Sequence, residues 1–292
     1  MILGVDVHAG YQMIDWERVA KAGVRFAIVK CTLGNEPAGD DRLFARNVAG
    51  AKAAGILVGA YHFAFPLPSG SLLPRGRSPK EQAERFFTVS KGLGANVGEL
   101  PPALDFEWPA RWDKTKFVDA NNNGVLDAGE KLVDQWARWG ISAASISEWG
   151  LECLEHLKRL WGRVPMIYEY PHFREMLGEY GKGAVWTRYP LWIATYPESA
   201  RATTLPPPGA KPILNAPWSD WAIWQFSADG SPMRIDGIPV SPIDRNVIRD
   251  EATLRRLAML DDPDLLVQAD PIGERTLVDW DIVRKSPYDE IA

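Results

Sequence analysis

The chain has 292 residues, enough to bury a substantial core in one large domain or two small ones. Its composition, 46% hydrophobic and 24% charged, is that of a soluble globular protein, with no apolar run near the ~20 residues a membrane-spanning helix needs. A net charge of −5 and a pI of about 5.5 argue against a nucleic-acid partner, which would require a basic surplus on one face.

The first predicted element is the strand ILGVDV, which begins at residue 2 and leaves no room for a basic and apolar leader, so no secretory signal is expected. A helix over 14–22 (IDWERVAKA), the strand RFAIVKC, a helix over 41–54 and the strand LVGAYHFAF follow. A loop at 66–78 leads into a helix over 79–93 and then the strand PPALDFEW. After a long loop at 108–130 comes a helical stretch over 131–160, which Gly140 is expected to break into two pieces. The strands VPMIYEY and PLWIATY, a loop at 204–219, the strand WAIWQF and a last helix over 251–260 complete the order.

These apolar runs are continuous rather than alternating, as in strands buried on both faces. Strand–helix alternation with more than six strands predicts an α/β barrel of the TIM type rather than an open doubly wound sheet. No G-x-G-x-x-G follows the first strand and no G-x-x-x-x-G-K-[ST] occurs, so phosphate-cradling folds lose support. The organisation expected is a single barrel domain over 1–250 with a C-terminal extension over 251–292. The extension would be a helix and then an extended tail, packed on the barrel through Leu265, Leu266, Val278 and Trp280. A monomer is expected. Cys31 and Cys153 make no metal pattern and read as buried free thiols. The three long loops lie beside strand ends, where a barrel's binding loops belong. Of the 13 tryptophans, Trp108, Trp192, Trp221 and Trp224 fall near strand ends, where an indole can stack on a sugar or simply pack.

Asp105 and Glu107, two apart on a predicted strand, share a face about 7 Å apart along the backbone. Unpaired carboxylates are expensive in a core, so the carboxyl end of the strand is their place, and the following Trp-Pro stops the strand there. Such a pair can divide labour, one acid holding a proton and the other staying ionised, as glycoside hydrolysis requires. A salt-bridged structural pair or a metal site is equally compatible with the pair alone. Other strand ends carry Asp6, Tyr61, His62, Tyr168, Glu169 and Asp244. His62 taken singly reads as a satisfied buried histidine; together the set suggests one shared site.

In order, GVDVH, FAIVKCTLG, GAYHFAFP, PALDFEW, PMIYEY, LWIATY, WAIWQFS and IDRNV resemble the strand motifs of family-25 glycoside hydrolases, the Chalaropsis-type muramidases that include many phage endolysins. The resemblance runs from residue 1 to about 250, and D-x-E after an apolar run is its most specific element. It implies an irregular β/α barrel that cuts the β-1,4 bond between N-acetylmuramic acid and N-acetylglucosamine in bacterial peptidoglycan. It implies Glu107 as proton donor, Asp105 as the carboxylate that orients the 2-acetamido group, and Asp6 and Asp244 as further acids of the cleft. Tyr61, His62, Tyr168 and Trp192 are implied near the sugar. The sequence departs from the family at Leu33, where an acid or amide is usual, and in the longer loops at 66–78 and 108–130. No cofactor is implied for the chemistry, which would proceed through an oxocarbenium-like state. Attack by water or by the substrate's own acetamide is left to the carboxyl separation, with retention favoured. A phage or prophage lysin acting on the wall after cytoplasmic synthesis is the expected setting, with secretion by another route as the alternative. The alternatives are a hydrolase of another N-acetylated glycan such as chitin, or a sugar-binding barrel without turnover, against which the proton donor argues.

The stretch DANNNGVLDAGE fits a twelve-residue calcium loop. Asp119, Asn121, Asn123, Val125 through its carbonyl, Asp127 and Glu130 fall at positions 1, 3, 5, 7, 9 and 12, with Gly124 at the turn. This reading rests on spacing and predicts a structural Ca²⁺ beside a metal-free catalytic pair. The preceding WDKTKFV is too short and mixed for an entering helix, whereas KLVDQWARW suits an exiting one. The four histidines show no zinc-ligand spacing.

Overall fold

A computed structural model describes residues 1–35, 37–66, 78–107, 134–197, 204–228, 234–240 and 243–261, together with the backbone at 112–117 and 132–133. All seven apolar runs form strands of one closed barrel: β1 (Ile2–Val7), β2 (Phe26–Leu33), β3 (Leu57–Phe63), β4 (Ala103–Asp105), β7 (Met166–Glu169), β8 (Leu191–Ala194) and β9 (Ile223–Ser227). The eighth is β10 (Asp244–Ile248), which closes the ring between β9 and β1. Six neighbouring pairs are parallel, while β10 runs antiparallel to both its neighbours. The barrel is therefore irregular in the sense expected, and the reversal of β10 has a positional consequence. Its first residue, not its last, lies at the carboxyl end of the others, with Asp244 in register with Asp6.

Six helices fall on the predicted helical stretches, α1 (Trp16–Lys21), α2 (Phe44–Ala53), α3 (Pro79–Ser90), α4 (Gln135–Trp139), α5 (Ala143–Trp161) and α7 (Glu251–Leu257), and a further one, α6 (Pro171–Leu177), follows β7 where none was expected. Asp15 starts α1 by accepting from the Arg18 amide at 3.2 Å. Ser78 and Glu81 form a capping box on α3 with Pro79 in its first turn. Gly140, at φ 68°, ends α4 in the left-handed conformation and separates it from α5, the break expected from sequence.

Packing divides by strand face. Outward side chains such as Val5, Val29, Leu104, Ile167 and Trp224 join the helices in one large core. Inward ones, Phe26, Ile28, Met166, Trp192, Ile223 and Ile248, fill the barrel. Leu254 and Leu257 of α7 join this inner cluster, so the last helix belongs to the barrel and stops its amino-terminal end. Arg163 bonds the carbonyls of Gly94 at 2.7 Å and Glu99 at 3.0 Å, and that of Leu257, tying the helix in place.

Two expectations are corrected. The segment before the predicted calcium loop is a strand: β5 (Trp112–Phe117) pairs antiparallel with β6 (Leu132–Asp134), and α4 starts only after β6. The loop at 204–219 does not stay at the carboxyl end. Because β8 and β9 are parallel, the chain must return to the opposite end, and Trp218 and Trp221 line a cavity there with Arg188 and Arg256. The residues named for calcium (Asp119, Asn121, Asn123, Val125, Asp127, Glu130) and the tail at 262–292 lie outside the described residues. Among the described residues no helix is long and apolar enough to cross a membrane.

Candidate active site

Four acids meet at the carboxyl end of the barrel: Asp6 near the end of β1, Asp105 closing β4, Glu107 just beyond it, and Asp244 opening β10. The D-x-E segment is placed by the residue between the acids. Phe106 turns outward, its ring 5.1 Å from that of Phe173 and 5.9 Å from Trp186, and its N–H donates to the Tyr168 carbonyl at 2.9 Å. That bond extends the β4–β7 pairing by one residue, so Asp105 and Glu107 both face the mouth. Asp105 is buried and Glu107 partly exposed, so Glu107 is the acid nearer solvent.

Burial dominates the electrostatics. It pushes Glu107 up to about 7, opposed by the Lys30 cation and reinforced by Asp244. Asp105 is held well above the ordinary carboxylate range by burial and then by Glu107, again opposed by Lys30. Asp6 is raised to about 6: burial lifts it, amide hydrogen bonds from Asn246 and Gln225 pull it down, and the Glu107 charge lifts it again. The cluster therefore titrates as a unit that keeps protons into the neutral range. Lys30, over the Phe63 ring at 5.0 Å, supplies positive charge to both Asp105 and Glu107. The Oδ1 atom of Asp105 is buried without a hydrogen-bond partner among the described residues. An acceptor in that state costs free energy unless a ligand's donor reaches it.

Of the residues singled out in the sequence, Asp6, Tyr61, Asp105, Glu107, Tyr168 and Asp244 come together here. Tyr61 and Tyr168 are buried, with their hydroxyls in the field of the acids. Trp192 lies deeper than a stacking platform would, 2% exposed, and it reaches the site through its Nε1–H, which donates to Asn246 Oδ1 at 2.7 Å. His62 is not in the cleft. Adjacent strand residues point to opposite faces, so with Tyr61 inward His62 goes outward. There it is fully buried, 2.8 Å from Thr32 Oγ1 and 3.0 Å from Gln82 Oε1, and stacked on Phe86. Burial lowers it to about 4, leaving it neutral, which corrects its assignment to the sugar site. Glu169 likewise turns outward into a buried ion pair with Arg174.

Sequence reasoning missed a second ring of polar groups. Gln225 and Asn246 both donate to Asp6 Oδ2, at 2.8 and 2.7 Å. Gln225 Oε1 accepts from Tyr168 at 3.1 Å and from Tyr196. Tyr11 donates to Asp244 at 2.8 Å. The signal for Asn246 was available: it stands two residues from Asp244 and so shares its face.

Comparison with known proteins bears on the fold that carries these residues. The sequence profile described as glycosyl hydrolases family 25 matches residues 5–235, ending before β10. Lysozyme M1 of Streptomyces globisporus is 27% identical over 258 residues, 88% of this chain and 71% of the relative. The N,O-diacetylmuramidase of Chalaropsis sp is 26% identical over 229 residues, 77% of this chain and 88% of the relative. Among solved structures, the bacterial lysozyme of Streptomyces coelicolor superposes with a TM-score of 0.64 at 26% identity, over 89% of this chain and 96% of that one.

Proposed function

Since the chain belongs to glycosyl hydrolase family 25 and is thus a glycoside hydrolase, we propose that it is a muramidase cutting the β-1,4 bond between N-acetylmuramic acid and N-acetylglucosamine in bacterial peptidoglycan. The observation that carries the reading is the pairing of Glu107, raised to about 7, with Asp105, whose buried Oδ1 lacks a partner among the described residues. The lysozyme and muramidase relatives support the choice of substrate.

In this reading an N–H of the sugar's acetamide donates to Asp105 Oδ1. A hydrogen bond to the charged form lowers the group it reaches, so the bound substrate favours ionised Asp105 and leaves the proton on Glu107. Glu107 then gives its proton to the glycosidic oxygen as the C1–O bond breaks, and the neighbouring carboxylates stabilise the developing oxocarbenium charge. The acetamide oxygen, polarised through its own N–H, attacks C1 from the opposite face; water opens that intermediate while Glu107 takes the water's proton, giving net retention. A lytic setting of the phage or prophage endolysin type is part of the same proposal. So is a structural Ca²⁺ held by Asp119, Asn121, Asn123, the Val125 carbonyl, Asp127 and Glu130, supported by their spacing.

The test is release of reducing ends from purified peptidoglycan by the unmodified protein and by Glu107→Gln. Reducing N-acetylmuramic acid ends that vanish in the variant are expected. Reducing N-acetylglucosamine ends would overturn the bond assignment. Turnover on chitin oligomers without turnover on peptidoglycan would overturn the substrate, and loss of turbidity in a bacterial suspension checks the lytic setting.

A further inference from the structure

We propose that Asn246 and Gln225 are positioning residues that keep Asp6 ionised, so that its charge holds the proton on Glu107. The proposal rests on the muramidase reading for its link to catalysis, but its central claim concerns proton occupancy and is measured directly.

The orientation of each amide follows from its other partner. An indole N–H can only donate, so the Trp192 bond at 2.7 Å requires the Asn246 oxygen to face Trp192 and its NH₂ to face Asp6. On the other side, Tyr168 at 3.1 Å and Tyr196 both direct their hydroxyls at Gln225 Oε1, leaving the Gln225 NH₂ for Asp6 at 2.8 Å. Both amides therefore present donors to the same oxygen, Oδ2, from strands on the same side of β1: β10, its neighbour, and β9 beyond it. A proton on Oδ2 would clash with two fixed donors, and two donors to one carboxylate favour its charged form. Of the supporting side chains, Trp192, Asn246, Gln225 and Tyr168 are buried and Tyr196 is half-buried, so this arrangement is held mainly by the core.

The groups that face Asp6 fix the sign of the effect. Glu107 and Asp105 approach from β4, with Lys30 of β2 beside them and Asp244 opposite on β10. The surrounding phenols, Tyr11, Tyr61, Tyr168 and Tyr196, are all raised by burial and stay neutral. Asp6 and Glu107 are thus two acids in mutual repulsion, and the pair tends to share one proton. The two amides decide where it sits. With Asp6 charged, Glu107 holds the proton at the mouth, where a leaving oxygen can take it. Without the amides, Asp6 takes up the proton and Glu107 loses its charged neighbour.

The experiment is ¹³C NMR titration of the carboxyl groups, with Glu107 and Asp6 assigned by their disappearance in Glu107→Gln and Asp6→Asn. It uses the unmodified protein, Gln225→Met, Asn246→Ser and the double variant. In the unmodified protein Asp6 is expected to ionise at lower pH than Glu107; the reverse order overturns the proposal without any variant. In Gln225→Met and Asn246→Ser the midpoint of Glu107 is expected to fall by roughly one pH unit, and further in the double variant. An unchanged Glu107 midpoint in folded variants overturns it. The alkaline limb of peptidoglycan hydrolysis should move with that midpoint, whereas loss of packing alone would lower activity at every pH and leave the limb in place. If the midpoints move as expected but the unmodified protein releases no sugar ends from peptidoglycan, the positioning role stands and the muramidase reading fails.

Discussion

The proposed mechanism requires Glu107 to be an acid at neutral pH, and its surroundings set where that ability ends. With its carboxyl raised to about 7 by burial, the alkaline limb of kcat/KM on peptidoglycan should fall near pH 7. A profile flat through pH 8 would count against Glu107 as the donor. The same shift bears on stability with a definite sign. The folded pKa lies above the unfolded one, so the native state binds more protons between them. The stability contribution of Glu107 is present below its unfolded value near 4.5 and is lost as pH rises through about 7. Glu107→Gln, neutral at every pH, should therefore match the unmodified protein at pH 4 and exceed it at pH 8, by at most about 3 kcal/mol. Thermal melts at both values check this, and a variant less stable at pH 8 would mean that Glu107 is satisfied by contacts not considered. Loss of catalysis and gain of stability in one substitution is the usual signature of a site built against its own stability.

Elements hold the acids in place, and α5 does so through a missing side chain. A Cβ on Gly150 would come 2.6 Å from the Phe106 ring, the residue between the two acids of β4. Replacing a glycine inside a helix by alanine ordinarily stabilises it by about 1 kcal/mol. Here Gly150→Ala should instead destabilise and should lower kcat more than it raises KM, because pushing Phe106 tilts Glu107. A higher melting temperature with full activity would refute this packing account. Such a contact was not legible in the sequence, since nothing local to Gly150 says which strand it meets. What was legible followed from local rules: seven continuous apolar runs gave the barrel's parallel strands, and Gly140 gave the break between α4 and α5. Pairwise adjacency misled where strand phase should have ruled. Tyr61 and His62 cannot both face inward, and the phase was obtainable from Asp105 and Glu107, whose spacing of two puts them on one face. Gln225 stayed hidden because a single amide inside WAIWQF shows its purpose only once the inner face of β9 is known. The reversal of β10 was illegible for a different reason: five residues carry no mark of direction, and only the lack of a crossover helix among the described residues between β9 and β10 hints at it.

At the scale of the molecule, β5 begins five residues after Glu107, and the calcium spacing falls between β5 and β6 in sequence. If a cation is held there, chelation with EGTA should lower the melting temperature, and Glu130→Gln should melt like the chelated protein and ignore added Ca²⁺. Identical melts with Ca²⁺ and with EGTA would reduce the spacing to coincidence. The inner core makes a further demand, since α7 stops the amino-terminal end through Leu254 and Leu257. Truncation before residue 251 should expose Phe26 and Ile248 and cost several kcal/mol, read as a loss of cooperative unfolding; a truncated chain that still melts sharply at an unchanged temperature would show that α7 is dispensable. The antiparallel closure of β10 has a last consequence, for the order of events during synthesis. Asp6 emerges from the ribosome 240 positions ahead of Asn246. Until that strand is delivered, β1 has one neighbour instead of two and Asp6 lacks its nearest donor. A nascent chain can gather most of its helices and strands beforehand, but the cleft acquires its charge pattern only when the ring shuts, so hydrolytic competence arrives in a single late step rather than growing with chain length.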